Sequence, residues 1–225
     1  MLKHCISWKA SKNENGRGEE GHTSAPAEGC DVLSSTLMKT PRCLLASLLC
    51  TLSLAAQGAD TYKIDPVHSS VVFSIKHMGV TDFLGNFNEI TGTVVFDATD
   101  PAKSTVELTV PVAGVNSRHP KRDDHLKSPD FFNAEKFPAV TFKSTKVDGS
   151  GTDFKVTGDF TLLGVTKSIT VDFKRGPDGK GMQGEIRGGG ETRFTIKRSD
   201  YGMTFMPDAL GDDVGLVISL EGVRQ

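Results

Sequence analysis

The sequence predicts an all-β domain of antiparallel strands, arranged as a sandwich or a closed barrel. Apolar residues alternate with polar ones at period two in one segment after another between Tyr62 and Val223. Clusters of Gly, Asn and Asp punctuate those segments, as in "DATDPAK", "VDGSGTD" and "RGPDGKG". A single stretch, "PKRDDHLKSPDFFNAEKF", has helical character. Many strands, one apolar face per strand and almost no helix leave these two architectures, and periodicity alone does not separate them.

The first 59 residues are a different kind of sequence. All four Cys (Cys5, Cys30, Cys43, Cys50) and the single Trp8 lie in the first fifty positions, while all thirteen Phe lie between Phe73 and Phe205. In "MKTPRCLLASLLCTLSLAAQGAD", basic Lys39 and Arg42 precede an apolar run from Cys43 to Ala56, and small residues follow. This is the order of a secretory signal. The run has fourteen residues, short of the roughly 20 that span a bilayer. We expect residues 1–37 to be a disordered Gly- and Glu-rich leader, with Met38 the true start. Residues 38–59 then form a cleaved signal, and 60–225 the mature domain.

That domain is of ordinary single-domain size. It contains no Cys, so it needs neither a disulfide nor a thiolate metal site. With 20 Lys and Arg against 23 Asp and Glu its net charge is −3, which speaks against a nucleic-acid partner.

Within the domain the strands follow in order. "SSVVFSIKHM" places Val71, Phe73, Ile75 and His77 on one face, and "KSTVELTVPVAGV" does the same with Val106, Leu108, Val110 and Val112. "DFKVTGDFTL" aligns Phe154, Val156, Phe160 and Leu162; "KSITVDFKR" aligns Ile169, Val171 and Phe173. "DVGLVISLEGV" closes the chain with Val214, Leu216, Ile218 and Leu220. Eight or nine strands are expected in all. A short helical turn is expected to start at Ser128, with a hydroxyl cap, Pro129 in the first turn and Asp130 near the positive end of the dipole.

Four phenylalanines crowd into "SPDFFNAEKFPAVTF". Phe131 and Phe132 are adjacent, so a regular strand buries only one of them on a given face. Phe83 and Phe87 lie in "GVTDFLGNFNEI", which shows no clean alternation. We expect Phe83, Phe87, Phe131, Phe132 and Phe137 to line or lid a cavity at a barrel mouth, with Phe73, Ile75 and His77 on its inner wall. Phe142 is expected to be plain core. Asp65 and His68 are expected to organise a strand entry, and "RGGGETR" to form a bend or bulge. His119, Asp123, Asp124 and His125 match no standard zinc spacing and read as a solvated loop. No nucleophile–base spacing, phosphate loop or metal motif is visible, so no catalytic residue, metal or cofactor is expected.

Six stretches in order, "YKIDPVHSSVVFSIKHMGV", "GNFNEITGTVVFD", "RDDHLKSPDFFNAEKFPAVTFKST", "GDFTLLGVTKSITVDF", "FTIKRSDYGM" and "DDVGLVISLEGVR", resemble the YceI-like family of polyisoprenoid-binding proteins. The resemblance covers Tyr62 to Arg224. It implies a lipocalin-like, eight-stranded antiparallel barrel, exported to the periplasm. Its apolar lumen would hold a polyisoprenoid chain such as an isoprenoid quinone or its precursor, for transport, storage or sequestration, with transient membrane contact and a homodimer among the partners it implies. A dry barrel serving as a protein-interaction module, or an enzyme acting on such a lipid, are the competing readings.

Overall fold

A computed structural model describes residues 58–225. The expected leader and signal, 1–59, lie outside this range except for Gly58 and Ala59. The described strands are β1 (Asp60–Ile64), β2 (Ser70–His77), β3 (Thr81–Phe87), β4 (Thr91–Phe96), β5 (Thr105–Pro111) and β6 (Val115–Asn116). After helix α1 (Pro120–Lys127) come β7 (Ala139–Ser150), β8 (Asp153–Leu162), β9 (Val165–Arg175), β10 (Gly179–Lys180), β11 (Ile186–Lys197) and β12 (Leu210–Arg224).

Eight of these strands close into a ring in the order β1, β4, β5, β7, β8, β9, β11 and β12, every pairing antiparallel. Closure leaves the ring without a free edge. The barrel is therefore the solution that the periodicity left open. The long β12 pairs with β11 along one side. On its other side it pairs with β2 from Leu210 to Ser219 and with β1 at Gly222 to Arg224. The β2–β3 hairpin, extended by β6, thus flares from the ring and forms one wall of its open end.

The ring has two short seams of three pairs each, β1 with β12, and β9 with β11, where Gly190↔Arg175, Glu191↔Lys174 and Thr192↔Phe173 pair. The buried Thr192 hydroxyl donates to the Asp172 carbonyl at 2.7 Å just where the ladder stops. Beyond it, a 3-10 turn (Arg198–Tyr201) supplies the Tyr201 ring, which packs edge-on against Phe160 at 5.5 Å. Lys167 of β9 reaches across to Asp200 at 3.4 Å.

The helix sits earlier than expected. His119 is its N-cap, Pro120 opens it, Asp123 lies in its first turn and Lys127 in its last. Ser128 is the C-cap, in extended conformation. His119-Pro120 and Ser128-Pro129 both place a proline directly after a capping residue. The second one ends the helix instead, because Pro129 disfavours α geometry in the residue before it. The "RGGG" stretch is also corrected: Gly188 to Gly190 run through the regular part of β11. A Cβ on Gly188 would lie 2.7 Å from the Tyr62 ring, and one on Gly190 2.6 Å from the Phe173 ring. These glycines make room for rings on the barrel wall.

At the end of the barrel away from the flared hairpin, Arg187 straps three segments together. Its guanidinium donates to Asp65 at 2.9 Å, Glu185 at 2.8 Å and Glu221 at 2.6 Å. Asp65 also accepts from the Val67 amide and meets the His68 ring at 2.8 Å, which organises the β1–β2 turn. Asp65, His68 and Glu221 converge as metal ligands do, but Arg187 supplies the positive charge among them. The His68 contact first, then Arg187, hold the Asp65 carboxyl well below the usual range. A depressed carboxyl contributes stability above its unfolded pKa and loses it as pH falls through the folded one. We expect this contribution to be intact at neutral pH and to fade on acidification below about pH 4. Asp65→Asn should cost about 1.5–3 kcal/mol at pH 7 and flatten the acid limb. Denaturant titrations across that range check it.

Candidate functional site

Inward-facing residues of the strands leave two adjacent cavities. A deep cavity of about 130 Å³ lies inside the closed ring. A mouth cavity of about 360 Å³ lies between β2, β3, β12, α1 and the 128–137 segment. Val110, Val140, Phe160 and Ile218 line both and form the waist between them.

The deep cavity is walled by aliphatic and aromatic side chains, among them Val94, Leu108, Val156, Val171 and Phe194. Most of its few polar members have partners. Ser104 accepts from the Asp97 amide at 3.0 Å. At the far end the Tyr62 hydroxyl donates to Asp178 at 2.9 Å, Arg175 pairs with Asp178, and the Arg175 guanidinium lies 4.4 Å over Phe96. Burial, and next the Asp178 hydrogen bond, push the Tyr62 hydroxyl up from its ordinary value.

Val71, Phe73, Ile75 and His77 all line the mouth cavity. Val71 and Phe73 are buried, Ile75 is half-buried and His77 is exposed at the rim. Phe83 and Phe87 line it too, but from the regular strand β3 and not from an irregular segment. The alternation is hidden there because the inward position between them is Gly85 and the outward Leu84 is half exposed. Gly85 pairs with Phe73, and a Cβ on it would lie 2.2 Å from the Phe73 ring. The ring therefore lies flat along the wall, which keeps the cavity open. The same device recurs at Gly158, under Phe142.

Phe131 and Phe132 also line the mouth cavity. Hydrogen bonds Phe131 N–H to Ser128 O and Phe132 N–H to Leu126 O hold this turn. Phe131 is buried and packs edge-on against His125 at 5.0 Å and Phe205 at 5.4 Å. Phe132 meets Phe87 edge-on at 5.5 Å. Two expectations are corrected. Phe137 lines neither cavity; it covers the Gly164 turn between β8 and β9, with Lys136 over its ring at 5.2 Å. Phe142 lines the deep cavity, because β7 runs along the ring with its Val140–Phe142 face inward. His119, Asp123, Asp124 and His125 do not converge: Asp123 accepts from Ser117, Asp124 pairs with Lys127, and His125 with Asp130.

Sequence reasoning missed Met203, Met206, Arg122 and Arg198, which line the mouth. The two methionines lie in "GMTFMP", a segment without periodicity.

The sequence profile of the YceI-like domain matches residues 62–222. The chain belongs to the YceI-like family. The match spans both cavities and every strand of the ring. The protein YceI of Escherichia coli is 40% identical over 173 residues, covering 76% of this chain and 90% of that protein. Among solved structures, the YceI protein of Campylobacter jejuni is 32% identical, with a TM-score of 0.60 over 65% of this chain and 87% of that one. A domain from Saccharophagus degradans described as polyisoprenoid-binding shares the fold at 15% identity, with a TM-score of 0.55 over 73% of this chain and 98% of that one. The YceI-like barrel expected from the six sequence stretches is thus the fold this chain adopts.

Proposed function

We propose that this YceI-like barrel binds a single polyisoprenoid chain, its tail threaded from the mouth cavity through the waist into the deep cavity. The observation that carries the reading is the pair of adjacent, almost wholly apolar cavities, one inside the closed ring and one at its mouth. A long apolar chain fits that shape. Each buried methylene contributes about 0.8 kcal/mol, enough to hold several isoprene units after the ordering costs of binding. The description of the Saccharophagus degradans neighbour as polyisoprenoid-binding supports the same cargo class. An isoprenoid quinone or its precursor is one such cargo, and the role is transport, storage or sequestration without turnover. The unfilled lumen speaks against a dry interaction module.

The exposed Met78, Val80, Phe205 and Met206 stand around the mouth, and the Met78 amide donates to Ala209, next to Met206. Such a rim suits transient contact with the membrane that supplies or receives the lipid. Export to the periplasm is part of the proposal and rests on the signal-like order from Met38 to Ala59.

Native mass spectrometry after mild purification is expected to show a discrete added mass. A protein that emerges bare and takes up no polyisoprenoid from vesicles would overturn the reading. Phe132→Ala is expected to cost less stability than the about 3–5 kcal/mol of a fully buried Phe, because Phe132 is only half-buried. It should speed lipid release several-fold, read by transfer to acceptor vesicles.

A further inference from the structure

The polar side chains lining the mouth cavity are His77, Arg122, His125 and Arg198, with no carboxylate or amide among them; the two guanidiniums donate and do not accept. Arg198 is 3% exposed. Its guanidinium donates only to backbone carbonyls: Nε to Gly211 at 2.9 Å, Nη1 to Met203 at 3.1 Å and Phe205 at 2.7 Å, and Nη2 to Leu210 at 3.2 Å. A guanidinium carries five N–H groups, so one on Nη2 has no acceptor among the described residues. Carbonyl dipoles stabilise this charge without neutralising it. Arg122 lies 4.5 Å over the Phe83 ring and donates to Ser117 through Nε at 2.9 Å and Nη2 at 2.7 Å. Its Nη1 has no partner among the described residues. Asp123 accepts from Ser117 and faces Arg122 through that hydroxyl, Asp212 accepts from Ser199 beside Arg198, and Asp130 pairs with His125, so neither guanidinium has a carboxylate in direct contact.

We propose that this cationic collar is a head-group site for oxygen acceptors that carry no hydrogen of their own, read by Arg122 and Arg198. The inference rests on the lipid-binding reading and adds the head-group class to it. Arg198, a buried cation in an apolar wall, favours a head group that brings acceptor oxygens to it, and the exposed Arg122 offers its unpartnered Nη1 at the rim. A phosphate and a quinone carbonyl share this chemistry; an alcohol brings a hydrogen for which neither guanidinium has an acceptor. Apolar contacts with the tail are indifferent to the head, so the collar supplies the selection.

The test uses three probes with the same geranylgeranyl tail: geranylgeraniol, geranylgeranyl phosphate and the menaquinone bearing that chain. Each is titrated into the lipid-stripped protein and into its Arg122→Gln variant. At least one acceptor-headed probe is expected to bind about tenfold or more tighter than the alcohol. A phosphate preference that grows at low ionic strength identifies an anionic head group; a quinone preference insensitive to salt identifies a neutral one. Arg122→Gln should close most of that gap while affinity for the alcohol holds within about twofold. Equal binding of all three probes by the native protein overturns the head-group site and leaves the lipid-binding reading standing. So does a gap that survives Arg122→Gln. Failure of all three to bind overturns the lipid-binding reading itself. The comparison on the native protein decides the matter even if the variant does not fold.

Discussion

Phe73→Asp is expected to yield no folded barrel. Phe73 is 8% exposed, lies flat over Gly85 and packs against Phe87 with ring centroids 5.9 Å apart. Removing the ring alone costs about 3–5 kcal/mol. The carboxylate then faces an apolar cavity wall with no cation directly across its strand pair, since β2 meets Gly85 of β3 and Leu216 of β12 at this position. An unpaired buried charge adds several kcal/mol, or is replaced by a protonated acid that still lacks its hydrogen bonds. The sum approaches the whole stability of a typical domain, about 5–15 kcal/mol. Far-UV circular dichroism and soluble yield read the outcome, with Phe73→Leu as the comparator that keeps an apolar side chain and is expected to stay folded. A soluble Phe73→Asp protein with a native spectrum would remove β2 from the cavity wall.

The parts of this fold that obey a simple period could be read before any coordinates. The stripes Val106–Leu108–Val110, Phe154–Val156–Phe160 and Val214–Leu216–Ile218 are inward faces because alternation has one physical solution when one face is buried. What defeated the reading was glycine. Gly85 occupies an inward position of β3, so Phe83 and Phe87 looked irregular although they share a regular face. Gly188 to Gly190 looked like a bend although they lie in β11 under the rings of Tyr62 and Phe173. In both places the missing side chain belongs to a ring on a neighbouring strand, a pairing that one-dimensional periodicity does not contain. The phenylalanines of "SPDFFNAEKFPAVTF" divided for a similar reason. Phe131 and Phe132 line the mouth, but Phe137 is drawn to Gly164, and that contact depends on how β8 turns into β9. Arg198 was invisible because its partners are backbone carbonyls spread from Met203 to Gly211.

The packing of rings over glycines also bears on how the lumen stays open. A barrel of this strand number holds either a filled core or one small ligand. Here several of the largest side chains lie along the wall, with the glycines beneath them taking up the difference in thickness. The core is therefore a lining of two adjacent spaces, and Val110, Val140, Phe160 and Ile218 border both.

Val140→Trp at that waist is expected to separate the two cavities. Val140 is half-buried, pairs with Val110 across β5 and β7, and borders both spaces. The larger ring has cavity on either side of it, so the overpacking cost should stay near the lower end of about 1–3 kcal/mol. For a domain of this size that is a drop of about 2–4 °C in Tm per kcal/mol. The effect on binding is larger and depends on chain length. A tail long enough to pass the waist loses whatever it buried in the deep cavity, about 3–4 kcal/mol per isoprene unit before ordering costs. Its affinity should fall by more than about a hundredfold. A short chain that ends in the mouth cavity should bind nearly as before. Native mass spectrometry with an equimolar mixture of long and short polyisoprenols reads both in one sample: the native protein should retain the long chain and Val140→Trp the short one. If the variant keeps its preference for the long chain, the tail does not pass Val140, and the deep cavity is not part of the binding site.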